Sequence, residues 1–407
     1  MSEKPKHHVS DLAVFGGNPY FDAPLHVGRP YIPDREKVLK RINEAMDGRR
    51  LTNNGPLVQE FERRIADYIP VRNCIATCNG TVALELAIRA LDLSGNVVIP
   101  SFTFIATAHA LQWLGSRPLF CDIDRNSHTL DPAAAERRID SETTGIIGVH
   151  TWGRTCDTKK LTRLAARHEI GLLFDASHAF GCSHGGILTG CFGAAEVFSF
   201  HATKFLQSFE GGAVVTNDDD LADRIRLMRD FGFSGTDHVV SIGTNGKMTE
   251  ISAAMGLTSF EAMEDTIDSN EKNYLLYREG LETIRGIRLN TYPPKEKNNY
   301  QFVTALIEDV FPLPRDDLMN ILHRENIKVR RYFYPGCHRS EPYVSMPEYA
   351  GLSLPETDYV SGRILVFPTG PETTTESIHK IIELLEFLSA HGRDVERRIE
   401  STELAQA

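Results

Sequence analysis

Between residues 75 and 216 the sequence alternates short apolar runs with amphipathic segments, and this alternation restricts the fold more than any other feature. The apolar runs at residues 97–99, 146–149 and 171–174 contain no polar residue at alternate positions. Strands of this kind are buried on both faces, as in a parallel sheet that helices cover on each side. The segments between them carry apolar residues on one helical face, for example in the segment that begins near Thr81. The sequence therefore predicts an α/β fold with a large, mostly parallel sheet.

After Thr216 the regular alternation ends, and a mixture of helices and short strands follows. Helices are predicted at residues 220–228, 249–263, 267–281 and 378–390, and strands at residues 301–307, 327–332 and 364–367. We interpret this region as a smaller C-terminal α+β domain. The predicted division is an N-terminal arm (1–26), a large α/β domain (27–263), a small domain (264–393) and a tail (394–407). The arm and the charged tail are expected to be loosely ordered.

Composition and charge exclude several classes of function. The formal net charge of −11 argues against non-specific binding to nucleic acid or to an acidic membrane. The longest apolar run falls well short of the roughly 20 residues of a membrane span, and residues 1–10 lack the apolar core of a secretory signal. The seven cysteines have no spacing typical of a zinc site or a redox pair, so we expect reduced thiols and a cytoplasmic protein.

A lysine and an aspartate follow two of the predicted strands. The run at residues 197–200 leads into a polar turn that ends at Lys204, and the run at residues 171–174 ends at Asp175. An amine that forms a Schiff base and a carboxylate that keeps a pyridine nitrogen protonated are what pyridoxal 5′-phosphate (PLP) chemistry requires. Taken singly, Lys204 is better explained as a surface lysine and Asp175 as a helix cap. The pair becomes informative only with the groups that lie at neighbouring strand ends.

Those neighbouring groups suit a phosphorylated aromatic ligand. Gly80 and Thr81 follow a strand and begin a helix, whose free N–H groups and dipole favour an anion. Phe104 and Ser199 also follow strands, and ligands of parallel sheets bind at the carboxyl ends of the strands. For Phe104, packing between helix and sheet remains an equal alternative.

Taken in order along the chain, these motifs resemble the DegT/StrS family of PLP-dependent nucleotide-sugar aminotransferases. The resemblance implies a PLP fold-type-I aminotransferase scaffold, with a large sheet domain and a small C-terminal domain. The motifs that carry it are Thr52-Asn53-Asn54-Gly55-Pro56, Asn79-Gly80-Thr81, residues 100–107, Asp175-Ala176-Ser177-His178, residues 199–204 and Gly243-Thr244-Asn245.

The resemblance implies a catalytic pair and a ring platform. Lys204 would carry the cofactor as a Schiff base and then move a proton between the amino donor and the cofactor. Asp175 would pair with the pyridine nitrogen, and Phe104 would stack on the ring.

The resemblance also implies a phosphate site that two chains share. Gly80, Thr81 and Ser199 would hold the cofactor phosphate, and Asn245 would reach the same phosphate from the neighbouring subunit. The active unit would then be a homodimer with shared active sites.

Two positions depart from the family pattern. His178 stands where glutamine usually bonds the phenolic oxygen of the cofactor, and an imidazole donates that bond only in one tautomer. Phe209 stands where glycine commonly precedes Glu210. The histidines at 178, 184 and 201 lack acidic or sulfur ligands that would complete a recognisable set, so we expect no metal site.

Within the family, residues 330–338 and 24–30 resemble the 4-keto branch, which forms dTDP-4-amino-4,6-dideoxyglucose, as on the macrolide route to desosamine. Arg330, Tyr332, Tyr334 and His338 are then candidates to contact sugar or diphosphate, although a packed strand explains them equally well. The expected reaction moves an amino group from L-glutamate to a 4-keto-6-deoxy nucleotide sugar. Alternatives are a 3-keto nucleotide sugar, a ketocyclitol, or a PLP-binding regulatory protein without turnover. The nucleotide, the product stereochemistry and the roles of His178 and Phe209 stay open.

Overall fold

The computed structural model of the chain describes residues 6–404. Residues 1–5 of the expected arm and residues 405–407 of the expected tail lie outside the described residues. The helices are α1 (Arg35–Asp47), α2 (Pro56–Tyr68), α3 (Gly80–Ala90), α4 (Ile105–Trp113), α5 (Pro132–Arg138), α6 (Thr158–His168), α7 (Asp219–Arg229), α8 (Glu250–Glu261), α9 (Met263–Leu281), α10 (Arg315–Arg324), α11 (Pro355–Arg363) and α12 (Thr375–Leu404). The strands are β1 (Leu25–His26), β2 (Asn73–Thr77), β3 (Asn96–Pro100), β4 (Arg117–Cys121), β5 (Thr143–Val149), β6 (Gly171–Asp175), β7 (Ser183–His184), β8 (Ile187–Leu188), β9 (Ala195–Ser199), β10 (Gly212–Thr216), β11 (Ile287–Leu289), β12 (Val303–Ile307), β13 (Ile327–Lys328) and β14 (Ile364–Phe367).

The large sheet has seven strands in the order β2-β10-β9-β6-β5-β3-β4. Neighbours from β9 to β4 pair in parallel, and β10 pairs antiparallel with both β9 and β2. The predicted α/β fold with a mostly parallel sheet is therefore confirmed.

Both faces of this sheet are covered by helices, which explains the continuous apolar runs. Leu173 of β6 packs in one core with Val197 of β9 and residues of α3 and α4. Its neighbours Leu172 and Phe174 pack in a second core with residues of α5 and α6. Because successive side chains of a strand point to opposite faces, an apolar residue is needed at every position.

The C-terminal part forms a separate core around the antiparallel sheet β11-β12-β14. The N-terminal arm joins this core, since Leu12 and Tyr20 are buried in it. The fully buried Glu325 carboxylate accepts hydrogen bonds from the N–H groups of Ala13 and Tyr20, both at 2.7 Å. Lys6 completes the site with an ion pair to Glu325 at 3.0 Å. The expectation of a loosely ordered arm is wrong for residues 6–26, because a buried carboxylate anchors it.

Two predicted elements have different lengths in the structure. Helix α12 continues to Leu404 instead of ending at residue 390, because Val395 is fully buried in the same core as the arm. The strand predicted at residues 327–332 ends at Lys328, since a turn follows in which the N–H of Tyr334 donates to the carbonyl of Arg331 at 2.7 Å.

The domain boundaries themselves stay predictions. Across residues 6–404, no helix combines enough length with enough apolarity to span a bilayer.

Candidate active site

A cavity of about 480 Å³ opens at the carboxyl ends of the central strands, and residues 27–28, 302 and 332–333 complete its wall. Its volume lies in the range of small-molecule sites. Of the residues predicted from the sequence, those that line it are Gly80, Thr81, Phe104, Asp175, His178, Ser199, Lys204 and Tyr332. The chain thus brings together most of the predicted site.

Asp175 is the last residue of β6, and its carboxylate is held from two sides. The N–H and hydroxyl of Ser177 donate to Oδ1 at 3.0 and 2.6 Å. The hydroxyl of Thr107 donates to Oδ2 at 2.9 Å. These three hydrogen bonds fix the orientation of the carboxylate. Oδ2 keeps acceptor capacity for a further partner, because each carboxylate oxygen has about two acceptor sites.

Lys204 lies in the turn between β9 and β10. Its backbone N–H donates to the carbonyl of His201 at 2.8 Å, and its amine lies 5.8 Å from the centre of the Phe302 ring. Burial lowers the pKa of Lys204 to about 8, although the charge of Asp175 raises it in part. A lowered pKa increases the fraction of neutral amine, which is the nucleophilic form.

The start of α3 forms a small cradle with the end of β9. The side chain of Asn79 caps the helix by accepting the N–H of Val82 at 2.8 Å. The N–H groups of Gly80 and Thr81 belong to the first turn and find no partner within the helix. A Cβ at position 80 would lie 2.9 Å from Cβ of Ser199, so only glycine lets the two segments approach. The cradle presents N–H and hydroxyl donors suited to a phosphate.

His178 is held in one neutral form by its surroundings. Its ring stacks on Trp152 and Phe333, with ring centres 5.6 and 5.8 Å apart. The N–H of Trp152 donates to Nδ1 at 3.4 Å, which leaves the ring proton on Nε2. Burial, and secondarily the charge of Lys204, hold the pKa of His178 well below its ordinary value. Amide groups of Asn299 and Gln301 fix its carbonyl, at 3.0 and 2.9 Å. His178 can therefore act as a donor towards the cavity.

Phe104 is the residue just before α4, and 56% of its side chain is exposed at the cavity. An aromatic ring left so open is available to stack on a ligand.

The four predicted substrate-contact residues are separated by the structure. Tyr332 lines the cavity, and the Arg330 guanidinium lies 4.9 Å from its ring centre. Tyr334 lies outside the cavity wall and stacks on Arg331 at 4.2 Å. His338 is buried. Its Nδ1 lies 2.7 Å from the Ser101 hydroxyl, and its Nε2 lies 3.3 Å from the Asp358 carboxylate.

The position of His338 disagrees with a substrate contact. The segment after β13 turns instead of continuing as a strand, and the short helix at Cys337–Arg339 places this ring against Ser101 and Asp358. The position of Tyr334 also gives no support to the predicted contact.

Asn245 and Phe209 are both exposed and are absent from the cavity wall of their own chain. Phe209 has a φ of +61°, a conformation that glycine adopts without strain. A role for Asn245 in a second chain stays a prediction.

Several cavity residues were not predicted from the sequence. They are Val27, Gly28, Thr203, Phe302 and Phe333, and Trp152 lies behind them in the same apolar cluster. These residues lie far apart along the chain, so no local pattern connects them. Val27, Gly28, Thr203 and Phe333 do fall within segments noted for their resemblance (residues 24–30, 199–204 and 330–338), but none was singled out as a site residue.

The cavity residues fit PLP on grounds that the structure supplies. The cavity offers the partly buried amine of Lys204, the Asp175 carboxylate with a free acceptor site and the exposed ring of Phe104. It also offers a cradle of hydrogen-bond donors that tolerates only glycine at position 80. Within residues 6–404, no group of three or more histidine, cysteine, aspartate or glutamate residues is placed to hold a metal ion.

Comparisons with known proteins extend over nearly the whole chain. Residues 33–386 match the profile of the DegT/DnrJ/EryC1/StrS aminotransferase family. The chain is 32% identical over 366 residues to a dTDP-4-amino-4,6-dideoxy-D-glucose transaminase of Shigella dysenteriae, covering 89% of this chain and 99% of that protein. It is also 32% identical to a GDP-perosamine synthase of Caulobacter vibrioides, covering 89% and 97%. The crystal structure of DesI, analysed in the presence of its TDP-sugar product, superposes with a TM-score of 0.93 at 43% identity, covering 97% of this chain and all of that one.

Proposed function

The chain belongs to the DegT/DnrJ/EryC1/StrS aminotransferase family, and on that premise we propose its reaction. It moves an amino group from L-glutamate to the 4-keto group of dTDP-4-keto-6-deoxyglucose, with pyridoxal 5′-phosphate as cofactor, and forms dTDP-4-amino-4,6-dideoxyglucose. The observation that carries the proposal is the presence of Lys204 and Asp175 in one cavity, beside a phosphate cradle.

When bound, PLP supplies a conjugated ring that stabilises a carbanion at the carbon that carries the amino group. The residues of this chain then have distinct tasks. Lys204 would hold the cofactor covalently, and its amine, with a pKa of about 8, can accept and return a proton near neutral pH. Asp175 would keep the ring nitrogen protonated, and Phe104 would cover the ring. Gly80 and Ser199 would hold the phosphate.

The relatives support the choice of keto sugar. The Shigella transaminase is named for dTDP-4-amino-4,6-dideoxy-D-glucose, and the DesI crystal structure was analysed in the presence of its TDP-sugar product. The GDP-perosamine synthase is named for a sugar linked to GDP instead. We therefore propose the dTDP-linked 4-keto sugar as substrate and treat the nucleotide as a point to be tested.

The test is a panel of amino acceptors. Purified protein would be incubated with PLP, L-glutamate and either dTDP-4-keto-6-deoxyglucose, its GDP-linked counterpart, a 3-keto isomer or a ketocyclitol. We expect 2-oxoglutarate release with the dTDP-linked 4-keto sugar and a product whose amine is on C4 by NMR. The Lys204→Ala variant should release none. Turnover only with the 3-keto isomer or the ketocyclitol would contradict the proposed substrate. PLP binding without exchange of the α-proton of glutamate would contradict an aminotransferase and indicate a regulatory protein.

The proposal includes a homodimer with shared active sites. Among residues 6–404, the cavity wall contains no arginine, and its lysine is Lys204 alone, so a ligand with three phosphate groups (one on the cofactor, two on the sugar nucleotide) meets few cations from one chain. Asn245 is exposed next to a segment whose apolar residues are also exposed. A second copy that covers this segment would explain why Asn245 and these apolar residues are both exposed in a single chain. The exposed apolar residues are Phe231, Phe233, Val239, Val240 and Ile242, with exposed fractions from 39% to 80%.

A cytoplasmic location and a role in supplying deoxyaminosugars for antibiotics complete the proposal. The location is supported by seven free cysteines, a state that reducing compartments maintain. The antibiotic role rests on the resemblance to the branch that supplies macrolide sugars.

A further inference from the structure

A pair of buried threonines connects the cavity wall to the carboxylate of Asp175. The Thr107 hydroxyl donates to Oδ2 at 2.9 Å, and the hydroxyls of Thr103 and Thr107 lie 3.1 Å apart. Thr107 is fully buried and Thr103 is 2% exposed. Thr103 lines the cavity, whereas Thr107 lies one turn further along the chain, in α4.

The direction of these hydrogen bonds follows from counting protons. A threonine hydroxyl has one proton, and Thr107 gives it to a carboxylate that has none to offer. The bond between the two threonines must therefore run from the Thr103 hydroxyl to the Thr107 oxygen. A chain of this kind polarises each successive bond towards the acceptor, which strengthens the bond that reaches Asp175.

The position of Thr107 differs from that of an ordinary helical threonine. Such residues usually donate to the carbonyl four positions earlier in their own helix, as Thr266 does to Ala262 at 2.9 Å. Thr107 instead bonds sideways from the first turn of α4 to the end of β6. The positive end of the helix dipole lies at the same place and also favours an ionised carboxylate.

We propose that Thr107 is a positioning residue which, with Thr103 behind it, fixes the orientation of the Asp175 carboxylate towards the cofactor ring nitrogen. The inference rests on the proposed function, because it assigns the pair to an Asp175 that acts on PLP. Ser177 holds the other carboxylate oxygen, so Thr107 is the side-chain donor that sets Oδ2.

The test uses Thr107→Val, which keeps the shape of the side chain and removes the hydroxyl. Protein loaded with PLP labelled with ¹⁵N at the ring nitrogen would be titrated with pH, and the ¹⁵N chemical shift would report protonation of that nitrogen. We expect the variant to lose the protonated signal at a lower pH than the unmodified protein. We also expect its dissociation constant for PLP to rise about tenfold, since hydrogen bonds to charged groups are the stronger class.

Two further variants separate positioning from packing. Thr266→Val removes a hydroxyl from an equally buried helical threonine and should leave the ¹⁵N titration and the PLP affinity unchanged. Thr103→Val keeps the direct bond to Asp175 and removes the residue behind it. Its effect should be smaller but in the same direction, and it provides the measurement if Thr107→Val fails to fold.

The outcomes distinguish this inference from the proposed function. If the unmodified protein binds no PLP, or binds it with an unprotonated ring nitrogen, the proposed function fails. If the unmodified protein shows a protonated nitrogen and both the Thr107 and Thr103 variants titrate identically to it, only the positioning role is overturned.

Discussion

Replacing Lys204 with methionine should stabilise the cofactor-free protein, because the folded chain holds the charged amine at a cost. Burial lowers the pKa of Lys204 from 10.5 to about 8. Methionine has a similar length and no charge, so the variant removes the cost of desolvating the ammonium group. The catalytic lysine would thus be a destabilising residue, as is common where function requires a strained or desolvated group.

The size of the effect follows from the two pKa values. Their difference corresponds to about 3.4 kcal/mol of unfolding free energy, at about 1.36 kcal/mol for each tenfold change in proton affinity. Unfolding entropy scales as about 2.1 cal/mol/K per residue, so for 407 residues this free energy is a rise in Tm of about 4 °C. The figure is an upper bound because the Lys204 side chain is only partly buried.

The stability gained by Lys204→Met should fall as the pH rises, whereas a gain from packing alone would not depend on pH. Below pH 8 the lysine is charged in both the folded and the unfolded chain, and the full cost is present. Between pH 8 and 10.5 the folded chain has lost the proton while the unfolded chain keeps it, so the stability of the unmodified protein rises. The advantage of Lys204→Met should therefore be greatest at pH 7 and fall below about 1 kcal/mol by pH 10.

The assay is thermal unfolding of the cofactor-free protein at pH 7 and pH 10, followed by circular dichroism. Lys159→Met, which changes an exposed lysine of α6, is the control and should shift the unfolding free energy by less than about 0.5 kcal/mol. A Lys204→Met variant that is less stable at pH 7, or whose advantage is the same at both pH values, would refute the reasoning.

Three further predictions concern the cofactor and the second subunit. Gly80→Ala places a Cβ 2.9 Å from that of Ser199, so overpacking should cost about 1–3 kcal/mol and fluorescence titration should show PLP affinity lowered at least tenfold. Phe104→Ala should weaken PLP binding by up to about tenfold, the value of one stacking contact, while Tm stays unchanged because the ring is 56% exposed. Asn245→Ala should be inactive alone but regain part of its activity when mixed and refolded with an inactive lysine variant, because hybrid dimers contain one intact site.

The first two of these predictions have matched control variants. Gly362→Ala adds a Cβ in open space within α11 and should leave PLP affinity unchanged. Trp113→Leu removes a ring that is 84% exposed far along α4 from the cavity and should not affect PLP binding. Hybrids that stay inactive would contradict a shared site, and an unaltered PLP affinity in the Gly80 or Phe104 variants would contradict the assigned cofactor contacts.

The fold and the centre of the site could be predicted because their signals are local. The continuous apolar runs identify strands buried on both faces, and the residues that follow them fall at one edge of the sheet. Lys204, Asp175 and Gly80 were found in this way, and the structure places all three in one cavity. The family resemblance was confirmed by the match over residues 33–386.

The surroundings of His178 could not be predicted, because they depend on contacts between distant parts of the chain. Its ring stacks on Trp152 and Phe333, and its carbonyl is fixed by Asn299 and Gln301. The N–H of Trp152, which donates to Nδ1, decides which ring nitrogen carries the proton. His338 became a candidate substrate contact through the resemblance of residues 330–338 to the 4-keto branch, whereas the structure buries its ring against Ser101 and Asp358.

The docking of the arm has a consequence for anyone who shortens this protein for expression or crystallisation. Removing the first 24 residues would take from the Glu325 carboxylate the lysine and the two amide donors that now hold it, and would take Leu12 and Tyr20 from the same core. The strand at residues 25–26, which pairs with residues 327–328, would become the start of the chain, and it leads to Gly28, whose Cβ position lies 3.1 Å from Thr203 at the cavity. A truncation at the terminus would thus act on a segment that continues into the wall of the ligand chamber, without altering a single residue of that wall.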